Sequence, residues 1–415
     1  MKWGRAIGWT VAVALACFVG LSSFVVMNQV RAPARSLAVG IGPTGVAEGR
    51  LAFDLYRLAL GADRDAKVKP GWENMARRSY AAEPLETGAL GLIAAARADE
   101  PDAKRMALLR AVGKLNRRDG LVAAELIQLA AITGDRETAF RWMAHTIETD
   151  AASRGDYVRA LAEVTAQNGA VNALLPLIGP RPSWADQYWQ HVIGRPNSLA
   201  NAAGLRAALA RKPWNQHEIG DSERALITAL VSARRMDEAR QLAQALRQPI
   251  PSLGDDGNLI FNADFSHTPR LPPFDWSLAA TGALAASVDA QGKALAISAI
   301  GGARTYAARQ LIWVEPGVYR LGWTLTSDAA SPPPIFATLR CAEVRAAGGG
   351  DFVRLPMKAG KASIRLRVPY GDCRWRWLAI NVATDDAAMG FDAALRNLSL
   401  VRGAQDGEPT PEEDE

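Results

Sequence analysis

The feature that most constrains this chain is a change of hydrophobic period near residue 250. Up to Leu246, apolar residues recur at helical spacing in alanine-rich segments; from Asn258 onward they alternate. A period of 3.6 presents one helix face to a core, whereas a period of two sends successive side chains to opposite faces of a sheet. One packed unit does not absorb both patterns, so at least two folding units are expected from 415 residues. Pro249, Pro251, Gly254 and Gly257 mark the join. The composition, 49% hydrophobic and 22% charged, is that of a globular protein. The net charge of +5 is spread along the chain without a lysine-rich run, which speaks against a nucleic-acid partner.

The N-terminus carries a third signal. Ala6–Met27, "AIGWTVAVALACFVGLSSFVVM", runs without a charge. About 20 residues of helix cross the hydrocarbon core, and a cleaved signal peptide has a shorter apolar stretch. "ALAC" at Ala14–Cys17 hints at a lipoprotein box, but its leucine is misplaced by one and apolar residues follow the cysteine. A single uncleaved inner-membrane anchor is therefore expected. Lys2 and Arg5 before it balance Arg31 and Arg35 after it, so flanking charge sets no orientation. Cys341 and Cys373, the only cysteines outside the span, form either a disulfide or two buried thiols. The bonded reading suits the periplasm, and the soluble domains are placed there.

Chemistry-bearing motifs are scarce. "GIGPTG" at Gly40–Gly45 matches a dinucleotide fingerprint in form only, since Pro43 interrupts it and only "SLAV" precedes it. His145, His191, His217 and His267 show no metal-ligand spacing. No metal or cofactor is expected, and no enzyme.

The middle section counts regularly. "AAELIQLAAITGDRETAFRWMAHTIETD" reads as two helices joined at Thr133-Gly134-Asp135, with Ala139 at a close-packing position. Similar turns are predicted near Glu100-Pro101, Asn168-Gly169 and Arg234, with Ala239 five residues after the last and one unclear position near Ala202. This spacing of about 34 residues resembles the tetratricopeptide repeat. The resemblance covers Leu51–Leu246 and is clearest at the helix–Pro–helix join of Ala76–Ala98; "SWADQYWQHVIG" and "RKPWNQHE" depart from it. It implies an α-solenoid whose concave face takes protein partners, or a spacer.

Beyond the join, "GVYRLGWTLTS", "KASIRLRVP" and "WRWLAINVA" alternate as half-buried strands, and short strands with turns between them suggest an antiparallel sandwich. The segment resembles the galactose-binding-like jelly rolls among carbohydrate-binding modules. Three pieces carry the likeness: a first strand "NLIFNADF" followed by "PPFDW", a middle hairpin "ARQLIWVEPGVYRLGWTLTS", and a closing strand "FDAALRNLSL". It implies glycan binding through aromatic platforms. The calcium that many members hold is not expected, because Arg396-Asn397 stands where an acidic residue is usual.

Parity assigns the faces. With Leu378, Ile380 and Val382 in the core, Trp375, Trp377 and Asn381 point the other way. Ile364, Leu366 and Val368 turn Arg365 and Arg367 outward, and Leu339 does the same for Arg340. Trp375, Trp377, Arg340, Arg365 and Arg367 are the candidate site for an acidic polysaccharide, sharing one solvent face. The alternative is that the tryptophans pack beneath the helices or a loop. Trp323, on the apolar side of its strand, is assigned to the core.

The expected organisation is a membrane anchor over 1–36, an all-α solenoid over 37–252, an all-β jelly roll over 258–402 and an unstructured acidic tail over 403–415. The expected function is a non-catalytic, membrane-anchored scaffold in envelope or exopolysaccharide assembly. Rival readings are a pure protein scaffold, and a glycan-active enzyme using Asp255, Asp256, Asp385 or Asp386.

Overall fold

The computed structural model describes residues 2–63, 65–85, 87–97, 102–248, 257–328, 333–343, 352–371 and 373–403. Asp255 and Asp256, and the acidic tail beyond Gly403, lie outside them. Among the described residues, fourteen α-helices precede ten strands. The chain divides into two compact units. The first holds Met1–Leu161 with Arg181–Trp184, and the second holds the remainder.

The first unit begins with α1 (Lys2–Asn28), whose Ile7–Asn28 stretch is long and apolar enough to cross a membrane. The short α2 (Pro33–Val39) returns against it, and Ser36 Oγ donates to the Val25 carbonyl at 3.1 Å. Then follow α3 (Gly45–Ala62), α4 (Pro70–Ala82), α5 (Gly88–Ala96), α6 (Asp102–Leu115), α7 (Gly120–Ile132) and α8 (Arg136–Thr149), each packed on its chain neighbour from α3 to α8. Local chemistry sets the starts. Asp119 caps α7 by accepting from the Leu121 and Val122 N–H groups, and Asp135 caps α8 by accepting from Thr138 N. Small residues bring the axes together. Ala139 is buried against Leu126 and Leu129, and a Cβ at Gly113 would stand 2.8 Å from the Trp142 ring.

α9 (Arg154–Val164) spans the division between units. The second unit continues with α10 (Ala170–Ile178), α11 (Ala185–Ile193), α12 (Leu199–Leu209), α13 (Asp221–Ser232) and α14 (Met236–Ala245). The turns expected at Thr133–Asp135, Asn168-Gly169 and Arg234 are present, and the one expected near Glu100-Pro101 lies outside the described residues; Ala202, where the position was unclear, lies buried within α12. The connection instead falls at residues 210–220, where Arg206 organises the chain. Its guanidinium donates to Glu223 Oε1 (2.7 Å), the Gln216 carbonyl (2.8 Å) and the Glu218 carbonyl (3.0 Å), all under cover. Burial pushes the Glu223 carboxyl up, but the Arg206 hydrogen bond and charge outweigh it and hold the group below its ordinary range.

The sandwich follows. One sheet has the order β1 (Ser277–Leu278), β4 (Arg304–Trp313), β9 (Trp375–Ala383), β6 (Ile335–Cys341), β7 (Phe352–Pro356). The other runs β2 (Leu284–Asp289), β3 (Ala294–Ala299), β10 (Phe391–Arg402), β5 (Gly317–Ser327), β8 (Gly360–Val368). All pairings are antiparallel. This two-sheet arrangement is a jelly-roll sandwich. Its core takes Leu378, Ile380 and Val382 from one sheet and Leu321, Trp323, Leu325 and Leu395 from the other, as their parity requires.

Two of the three pieces quoted for the jelly roll fold differently from their reading. Asn258 makes a single bridge to Val401, after which residues 261–264 turn; Asn262 and Phe265 adopt positive φ. No strand forms there because the Gln310 side chain occupies the Phe261 backbone, accepting from its N–H at 3.0 Å and donating to its carbonyl at 2.9 Å. "PPFDW" then sends Trp276 into the core, with the buried Asp275 carboxylate accepting from Arg270 N and Trp276 N. The middle "hairpin" has its turn at Glu315–Gly317, but β4 and β5 enter opposite sheets. The turn crosses the sandwich instead of closing a ladder.

Candidate functional site

The site is the outer face of the β1-β4-β9-β6-β7 sheet. Register places Trp375, Trp377, Ala379 and Asn381 of β9 in a row on this face. Arg340 and Thr338 of β6 stand opposite Trp377 and Ala379, and Arg354 of β7 stands opposite Thr338. On β4 an irregularity between Tyr306 and Ala308 changes the parity. Ala307 and Ala308 are both core residues, so Tyr306 and Arg309 emerge on the same outer face.

Arg309 is the centre of this face. Its guanidinium lies between two rings, 4.5 Å from the Tyr306 centroid and 4.7 Å from that of Trp377. Its Nε is buried without a hydrogen-bond partner, and its charge has no ion pair among the described residues. Stacking fixes the plane of the fork and leaves donors for a ligand acceptor. Arg354 stacks on Phe336 at 3.8 Å, and Asn381 Nδ2 donates to Thr338 Oγ1 at 2.9 Å. Arg304 and Arg340 are exposed at the edges. No acidic side chain holds an outward position on these five strands.

The expected residues do not share this face. Trp377 and Arg340 belong to it. Trp375 points the same way but is 2% exposed. It packs edge-on against Trp313 at 5.2 Å and against Phe274 at 5.7 Å. Helix α14 covers it: Trp375 Nε1 lies 3.4 Å from Asp237 Oδ1, and Arg240 lies over Trp313 and Trp375 at 5.1 and 5.9 Å. Of the two readings for the tryptophans, packing beneath a helix holds for this ring, which is not open to a ligand. Arg365 and Arg367 are on β8, in the other sheet, because β8 pairs with β5. Parity turned them outward correctly, but outward from the opposite side of the sandwich.

Arg309, Tyr306, Arg304 and Arg354 were missed. "FVRLP" does alternate and carried a readable signal for Arg354. Tyr306 and Arg309 have opposite parity in sequence, and only the irregularity in β4 unites them.

Cys341 and Cys373 are joined by a disulfide. Beside it, Glu343 accepts from Arg374 N and Trp375 N through its two oxygens, and its carbonyl accepts from Arg234 of the turn before α14. The cysteines and Glu343 form the one grouping of metal-ligand type among the described residues, but its sulfurs are spent on each other. Arg396, at the irregularity of β10, donates to the Gly292 carbonyl. Asp385 and Asp386 sit in a turn: the Asp385 carbonyl accepts from Gly302 N and Ala388 N, and Asp386 is exposed 3.9 Å from Arg304.

No protein-family model matches the chain, and no curated protein matches it. Solved structures similar to part of it are carbohydrate-binding modules. A family 16 module is 14% identical, with a TM-score of 0.24, covering 35% of this chain and 100% of that one. Carbohydrate-binding module 61 in complex with β-1,4-galactotriose is 15% identical at a TM-score of 0.24, covering 35% and 99%. The family 22 xylan-binding domain from Paenibacillus barcinonensis is 16% identical at 0.24, covering 36% and 97%.

Proposed function

We propose that this chain is a membrane-anchored, non-catalytic binding protein whose sandwich holds an acidic glycan on the outer face of the β1-β4-β9-β6-β7 sheet. One observation carries the reading: Arg309 is held between Tyr306 and Trp377 with no charge partner among the described residues, on a sheet whose strands carry outward arginines and no outward acid. A stacked guanidinium presents a planar fork to a carboxylate, while partly exposed aromatic surface and the Asn381–Thr338 pair suit a sugar ring and its hydroxyls. The resemblance of the strand sequences to carbohydrate-binding modules supplies the ligand class, and the arginines supply its sign. The helices are proposed as tetratricopeptide-like repeats for a protein partner, supported by the buried alanines that follow the turns at Gly134 and Arg234. The soluble part is proposed to be periplasmic, in envelope or exopolysaccharide assembly, and a periplasm-only reporter fused after Arg402 is expected to be active.

The binding test is retention of the detergent-purified chain on immobilised polygalacturonate and on neutral galactan. Retention on the acidic polymer alone, weakening as salt shortens the screening length below about 8 Å, is expected. Trp377→Ala and Arg309→Gln should each weaken it at least tenfold, with the fold intact. Equal retention on both polymers, or variants that bind as the parent does, would overturn the assignment.

A further inference from the structure

The outer face of the first sheet holds a second fixed arginine, and strand register puts it in line with the first. Arg309 of β4 stands opposite Ala379 of β9, Ala379 opposite Thr338 of β6, and Thr338 opposite Arg354 of β7. The four residues form one row across the strands, whose ends lie three strand spacings apart, about 14 Å. Each guanidinium leans toward the middle of the sheet, Arg309 onto Trp377 of β9 and Arg354 onto Phe336 of β6. The two forks therefore stand closer than their Cα atoms, at about 10 Å or two strand spacings. Neither arginine has an acid partner among the described residues.

The floor between the forks is small and uncharged. Ala379 and Thr338 are buried, while longer side chains stand on the flanking rows: Trp377 opposite Arg340 on one side, Asn381 opposite Phe336 on the other. A shallow trough thus crosses the strands with a fork at each end. Asn381 Nδ2 donates to Thr338 Oγ1 at 2.9 Å and to the Ala379 carbonyl at 3.1 Å, which fixes the amide and leaves its Oδ1 to accept from a hydroxyl. An exposed ion pair alone contributes little, because solvent screens it and ordering the side chains opposes it. Two forks already ordered by stacking are different. A ligand that bridges them gains the second bidentate pair without a second loss of translational freedom.

We propose that this face takes an internal stretch of a linear acidic polysaccharide laid across the strands, with one carboxylate on Arg309, a second on Arg354 and the intervening sugar over Ala379 and Thr338. The ligand class is a chain whose acid groups recur along its length, separated by more than one sugar ring, and not a glycan with a single acidic end group. This assignment rests on the reading of the Arg309 face as a glycan site, and it adds Arg354 as the residue that selects for length and charge spacing.

The test is calorimetric titration of the detergent-purified chain with galacturonate dimer and tetramer at about 20 mM salt, where screening is weak. The tetramer should bind at least tenfold more tightly than the dimer, because only the longer chain reaches both forks. In Arg354→Gln that advantage should shrink to within about twofold, since one fork then holds either length. Arg320→Gln, on the opposite sheet, should leave the full advantage in place. Equal affinities for the two lengths in the parent, or a tenfold advantage that survives Arg354→Gln, would overturn the two-fork assignment while leaving the acidic-glycan reading intact. Binding of neither length, with polygalacturonate also unretained, would overturn both.

Discussion

Trp375 and Trp377 lie two residues apart on one strand and point to the same side of one sheet, yet they belong to different regions of the molecule. At the Trp375 end, Trp313, Phe274 and helix α14 close over the sheet. At the Trp377 end the face is open, and a stacked arginine takes the place of the helix. Identical side chains in identical local structure thus become a covered packing core in one case and a solvent-facing surface in the other. The role of a strand's outer face depends on which part of the chain lies over it.

The largest test of the contrast is truncation of each ring. Trp375→Ala should destabilise the second unit by about 3–5 kcal/mol, the range for emptying a buried aromatic site, whereas Trp377→Ala should cost less than about 1 kcal/mol. Denaturant unfolding followed at a common probe separates them, and equal losses would erase the distinction. Next is the disulfide that ties β6 to the segment entering β9. Opening a loop of 32 residues should cost about 3 kcal/mol. The difference between unfolding midpoints of oxidised and reduced protein measures it, and two free thiols in the denatured, unreduced chain would contradict the bond.

A smaller effect should follow loss of the helical cover alone. Arg240→Ala removes a guanidinium stacked on two indoles, a contribution of about 0.5–2 kcal/mol. Faster amide exchange in α14, with β9 still protected at Trp377–Val382, is the expected pattern; unchanged exchange would mean the stack contributes nothing. Acid provides the mildest probe. The folded state holds Glu223 below its ordinary range, so its contribution is complete above the unfolded value and is lost as pH falls through the folded one. Below the usual glutamate range, stability should fall less steeply in Glu223→Gln than in the parent, which titration of thermal midpoints between pH 5 and about pH 2 would show.

Several features were legible from sequence because they depend on neighbours along the chain. Alternation placed Leu366, Val368, Leu378, Ile380 and Val382 in the core and turned Trp377 and Arg340 outward. The turns at Gly134 and Arg234 were readable from glycine, polar residues and the small side chains beyond them. The position near Ala202 was unclear because an alanine-rich helix looks alike along its length, while the clamp that shapes the real connection reaches from Arg206 to Gln216, Glu218 and Glu223.

By itself the sequence determined where the period changes, which strand residues face inward, and that one N-terminal helix is long and apolar enough to span a membrane. These follow from local geometry: the pleat repeats every two residues and the helix every 3.6. Only the tertiary structure decided that β8 joins the sheet opposite β9, that an irregular pairing at Tyr306/Ala308 brings Tyr306 beside Arg309, and that α14 covers one tryptophan of two. Each depends on contacts between segments far apart in the chain, and parity defines inside and outside for a strand without saying which sheet it joins or which element covers its outer side.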